Sequence, residues 1–140
     1  MSNSSENPIL RVEGLKVYFE SSHGFLKKRK TVVKAVDDVS FTLERGKTTG
    51  LVGESGSGKS TIGKAITRIV PVTTGRIHFE DHCLSDLSDK GFFPYRKKIQ
   101  IIFQDPYNSL DPRMTVGKII EEPLRIHFPD MSRKDRQSRI

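Results

Sequence analysis

The sequence predicts a mixed fold of class α/β or α+β, rich in β-structure at its start and centred on a strand–loop–helix unit. Three observations carry this. Apolar and polar residues alternate with the period of a β-strand through residues 10–19 and 39–44. A glycine-rich stretch, residues 53–60, then breaks the patterning. Beyond it Ile62, Ala65, Ile66, Ile69 and Val70 fall at i, i+3, i+4, i+7 and i+8, the apolar stripe of a helix.

Residues 1–8 offer almost nothing to bury and are expected to form a disordered lead-in. In the first strand Leu10 and Val12 alternate with Arg11 and Glu13, after which Leu15, Val17 and Phe19 alternate with Lys16 and Tyr18. Glycine and a basic run predict a surface loop over residues 21–30. Val39, Phe41 and Leu43 share one face of a second strand, and Arg45 and Gly46 turn into a short strand at 48–52 that leads to the loop. Pro71 should end the helix that follows, because proline lacks the amide and disfavours helical geometry before it. Residues 75–79 read as a strand with Ile77 and Phe79 on one face, 80–91 as turns, and 99–103 as a short buried strand. Thr115 is placed to cap a helix with Val116, Ile119, Ile120 and Leu124 on its apolar face, kinked or ended by Pro123. Residues 131–140 read as the opening of a charged helix that stops without a cap.

With 140 residues the chain suits one compact domain. No apolar run approaches the roughly 20 residues needed to span a bilayer, and the polar start lacks a secretory pattern. A single cysteine, Cys83, excludes an internal disulfide and fits a reducing cytoplasm. The net charge of +7 gathers at residues 27–30, 96–98 and 133–139. Aromatic residues do not interleave these runs as a single-strand stacking platform would require, so a nucleic-acid partner is not expected.

Residues 53–60 read Gly-Glu-Ser-Gly-Ser-Gly-Lys-Ser, a full G-x-x-x-x-G-K-[S/T] phosphate loop between a predicted strand and a predicted helix. A helix N-terminus offers unpaired amides and partial positive charge to phosphate oxygens. Gly53, Gly56 and Gly58 let the backbone wrap closely, with Glu54, Ser55 and Ser57 completing the loop. Lys59 is expected to pair with the β- and γ-phosphate oxygens, Ser60 to help hold Mg²⁺, and Thr61 to reach the α-phosphate. The ligand class is a nucleoside triphosphate.

Residues 50–61 resemble the Walker A segment of the ATP-binding cassette (ABC) transporter ATPases, and residues 101–117 are similar to their Q-loop region, in the branch serving oligopeptide and dipeptide importers. Residues 35–41 and 71–79 also match that branch. The resemblance implies an α/β fold: a phosphate-loop NTPase core with an N-terminal antiparallel β subdomain, occupying residues 9–140 as the first part of the nucleotide-binding domain. It implies ATP and Mg²⁺ as ligands, with Gln104 at the position that touches the metal ion and the water near the γ-phosphate. A neutral amide suits that post because it both donates and accepts. The resemblance further implies an aromatic residue stacked on adenine. Tyr18 is the expected one, pointing away from the Leu15–Val17–Phe19 face, with Phe19 the alternative if the register slips by one. Partners implied are transmembrane permease subunits, a second ATPase subunit and, indirectly, a solute-binding protein, at the cytoplasmic face of the membrane.

The family's Leu-Ser-Gly-Gly-Gln signature, Walker B strand and switch histidine do not occur in these residues. His23, His78, His82 and His127 sit in other contexts and are expected at the surface. The expectation is a truncated domain that binds ATP and, without a general base, does not hydrolyse it efficiently. Two alternatives stay open: a small phosphate-loop kinase using Asp105 at its metal ion, and a non-catalytic nucleotide-binding remnant.

Overall fold

The computed structural model describes residues 8–23, 29–106 and 109–140. The disordered lead-in expected at 1–8 lies outside these residues except for Pro8. The chain divides into two units, one ending at Ile99 and the other running from Gln100 to Ile140.

The first unit is built on an antiparallel sheet of strands β1 (Leu10–His23), β2 (Arg29–Leu43), β3 (Thr74–Phe79) and β4 (His82–Cys83), in the order β2-β1-β3-β4. Leu10 pairs with Leu43 on one side and Phe79 on the other, and Val12 with Phe41 and Ile77. The buried residues of β1 are Leu10 and Val12, then Leu15 and Val17. That change of parity, visible in the sequence, is a bulge: the β1–β2 register shifts between Val12 and Leu15, opposite Asp38 at φ +61°. The Ser40 hydroxyl accepts the Gly14 amide there at 2.8 Å. The buried face ends at Val17, because the register shifts again before Tyr18 and leaves Phe19 exposed.

Strand pairing runs further toward the hairpin tip than expected. Ser21 pairs with Thr31, Ser22 with Lys30 and His23 with Arg29, so the predicted loop at 21–30 is strand at both ends, and 24–28 lie outside the described residues. Polar composition does not oppose this, since backbone groups make the ladder and an exposed strand need bury nothing.

Helix α1 (Lys59–Ile66) lays Ile62 and Ala65 into the core against Ile77, Leu84 and Phe92. It stops short of Pro71. Arg68 takes φ +54°, and the Ile69 and Val70 amides both fold back onto the Lys64 carbonyl at 2.8 and 3.2 Å. The Arg68 side chain is held beyond the helix end, donating to the Leu87 carbonyl at 2.9 Å and lying over the Phe92 ring. Residues 80–91 resolve into β4 and the start of a short helix α2 (Asp89–Phe92). Ser88 caps it, and a 3-10 turn follows at Phe93–Lys97.

Two predicted strands are absent. Residues 48–52 and 101–103 carry no strand assignment, with Val52 91% and Ile102 92% exposed. A strand exists only with a ladder partner, and among the described residues no strand pairs with either run. Apolar content alone does not supply one.

In the second unit α3 (Val116–His127) is capped as predicted, the Thr115 hydroxyl accepting the Lys118 amide. Pro123 does not end it. None of its residues is buried, and Val116 and Ile120 of the predicted apolar face are exposed. Helix α4 (Arg133–Arg139) has its own cap: the Ser132 hydroxyl accepts the Asp135 amide at 3.2 Å. Arg136 joins the two helices by donating from Nε to Glu121 at 3.0 Å and from its guanidinium to the Met131 carbonyl.

Candidate functional site

The glycine-rich loop closes on itself before α1. The Ser57 amide donates to the Glu54 carbonyl at 3.3 Å, and Gly58 enters the helix at φ +92°, where a side chain is strained. Space is as limiting as conformation. A Cβ on Gly58 would lie 2.2 Å from the Ala35 carbonyl oxygen of β2. Val17 pairs with Val36 but Tyr18 with Lys34, so Ala35 is the extra residue of a bulge, and the loop seats on it.

Lys59 curls back over the loop. Its ammonium donates to the Gly53 carbonyl at 2.8 Å, the Glu54 carbonyl at 2.5 Å and the Ser57 hydroxyl at 3.2 Å. The charge is thus set at the loop's centre by groups that carry no formal charge. No side chain caps α1 and no acidic residue occupies its first turn. The first helical bond runs from Ile62 to the Gly58 carbonyl at 3.0 Å, so the amides before it have no partner within the helix. Such an end attracts an anion. Ser60 is exposed and Thr61 half-buried beside it. The structure therefore gathers residues 53–61 as the motif requires. Among the described residues no group of three His, Cys, Asp or Glu side chains forms a metal cage. A Mg²⁺ bound through one hydroxyl, phosphate oxygens and water fits that composition, because Mg²⁺ seldom uses an all-protein cage.

Tyr18 stands half-buried on the strand pair that floors the loop. Its hydroxyl donates to Asp37, its amide donates to the Thr73 hydroxyl at 2.8 Å, and the Lys34 ammonium lies 5.2 Å from its ring centre. Asp37 also takes Lys34 at 3.3 Å and faces Lys16 at 3.9 Å. The Tyr18 hydroxyl, then the lysines, hold the Asp37 carboxyl below its ordinary range, and the same bond raises the Tyr18 phenol. The sequence reading missed Asp37, Lys34 and Ala35. Their roles follow from the bulge, and no residue pattern announces a bulge at Ala35.

Gln104 lies in the second unit, exposed in the irregular stretch after Phe103, and forms no part of the first unit's loop. Of the histidines, His82 is exposed, but His78 departs from expectation. It is largely buried on β3, with Nε2 lacking a hydrogen-bond partner and 3.6 Å from a Glu13 carboxylate oxygen. His23 side-chain surroundings lie outside the description. Among the described residues no helix is long and apolar enough to cross a membrane.

A family model described as ABC transporter matches residues 36–139. The putative oligopeptide transport ATP-binding protein YkfD of Bacillus subtilis is 48% identical over 120 residues, covering 86% of this chain and 35% of its own length. The dipeptide transport ATP-binding protein DppF of Haemophilus influenzae is 45% identical over 133 residues, 95% of this chain and 40% of its own. The chain thus spans well under half the length of these curated relatives. Among solved structures, the dimeric bacterial ABC transporter cassette MJ0796 superposes with a TM-score of 0.73 at 25% identity, over 93% of this chain and 53% of that one.

Proposed function

Since the chain belongs to the ABC transporter family, we propose that it supplies the ATP-binding loop of a subunit coupling ATP binding and hydrolysis to solute import, with peptides as the cargo. The observation that carries this is the loop itself: a lysine ammonium centred over residues 53–57 at the uncapped, acid-free start of α1. Lys59 would exchange its loop carbonyls for β- and γ-phosphate oxygens, and the amides at the start of α1 would bind the remaining oxygens. The Ser60 hydroxyl and Gln104 would hold Mg²⁺, which neutralises charge on the terminal phosphates during transfer. Tyr18 would stack on the adenine. Peptides as cargo are supported by the names of the oligopeptide and dipeptide relatives.

The proposed partners are transmembrane permease subunits, a second ATPase subunit and, indirectly, a solute-binding protein, with the chain peripheral on the cytoplasmic face. A nucleic acid is not among them. In the 96–98 basic patch the Arg96 guanidinium lies over Phe92 and Lys98 pairs with Glu80 at 3.4 Å, which supports a structural use of that charge. By itself the chain is proposed to bind ATP without efficient turnover.

Calorimetric titration with Mg-ATP tests the loop. Lys59→Ala should weaken binding by at least about tenfold, because a charge-assisted contact to phosphate is lost. Undiminished binding by the variant would end the proposal.

A further inference from the structure

The geometry points to Asp37 as a positioning residue for the nucleotide base, acting through Tyr18; this rests on the reading of Tyr18 as the adenine-stacking ring. Three side chains of the strand pair converge on the Asp37 carboxylate. The Tyr18 hydroxyl and the Lys16 ammonium meet Oδ1, and the Lys34 ammonium meets Oδ2. A tyrosine half out of a sheet would otherwise turn about its side-chain bonds, and ordering it would count against binding. The carboxylate fixes the far end of the ring while the Thr73 hydroxyl fixes the backbone at its near end. Lys34 covers one face of the ring, which assigns the opposite face to the base.

Placement in the chain strengthens the assignment. Lys34 is the ladder partner of Tyr18, Ala35 is the bulge residue under Gly58, and Asp37 follows two residues on. A four-residue run of β2 therefore sets both the ring and the floor of the phosphate loop. The separation between base and phosphate positions is a property of that run. Asp37 touches no part of the loop. Its influence is confined to the ring, and so to ligands that carry a base.

The test measures affinity for Mg-ATP and for Mg-tripolyphosphate, the same phosphates without a base, in this chain. Asp37→Ala should weaken ATP between roughly twofold and tenfold, the range for losing the order of one side chain, and leave tripolyphosphate unchanged. Tyr18→Phe, which keeps the ring and cannot misfold for want of packing, should match it. Combined with Asp37→Ala it should add nothing, since both remove one bond. Asp37→Asn should recover most of the loss, because its amide oxygen still accepts the phenol. If Asp37→Ala and Tyr18→Phe bind ATP normally, or if Asp37→Ala weakens both ligands equally, Asp37 is a strut of the sheet and the proposal is overturned. Tyr18→Ala separates the remaining case: ATP affinity unchanged by loss of the ring removes the stacking reading beneath it. Loss of tripolyphosphate binding in Lys59→Ala reports on the phosphate loop independently of both.

Discussion

A methyl group at Gly58 would meet the Ala35 carbonyl oxygen at 2.2 Å while the backbone holds φ +92°. Gly56 has a similar φ, +82°, but nothing within 4 Å of its missing Cβ. The two glycines therefore separate strain from collision. Gly58→Ala should cost about 1–3 kcal/mol of stability and also shift the loop enough to weaken ATP, whereas Gly56→Ala should carry only the conformational cost. Thermal denaturation with and without Mg-ATP distinguishes them: the nucleotide should still raise the Tm of the Gly56 variant and should raise that of the Gly58 variant much less. At this scale the loop was legible, because its glycines, lysine and serine are a spacing pattern with one physical purpose. What each glycine faces was not legible. Ala35 lies under Gly58 only through an unpaired residue in a distant strand, and Asp37 meets Tyr18 for the same reason.

Elements were readable where the signal is local. Thr115 before α3 and the parity change in β1 both stand in the sequence and in the structure. They failed to be readable where formation depends on a neighbour. Residues 48–52 and 101–103 have strand-like composition and no ladder, while Ser21–His23 has loop-like composition and a full one. The helix stripe ran on to Val70 because side chains past a left-handed residue can still reach the core; the backbone had already turned at Arg68. At the far end of the chain, Ser132 and Asp135 cap each other, the hydroxyl accepting the amide and donating to the carboxylate at 2.6 Å. Ser132→Ala should remove about 1 kcal/mol from α4, seen as faster amide exchange across Arg133–Arg139 while the exchange of β1 is unchanged.

The whole first unit is organised by β1, which pairs with β2 on one edge and β3 on the other. The β1–β2 pairing is a hairpin between neighbours in sequence; the β1–β3 pairing closes a chain segment that contains the glycine loop and α1. Short-range pairing precedes long-range closure, because the entropy of closing the longer loop is lost before its contacts form. The hairpin carries the seat for Gly58 and the fixed Tyr18, yet Ile62 and Ala65 gain their core only when Ile77 and Phe79 arrive. During refolding the site should thus appear in two stages, a base platform first and a phosphate cradle last. Stopped-flow refolding in the presence of a fluorescent ATP analogue should show β-structure growing ahead of nucleotide binding. Ile77→Ala should delay the second signal and spare the first.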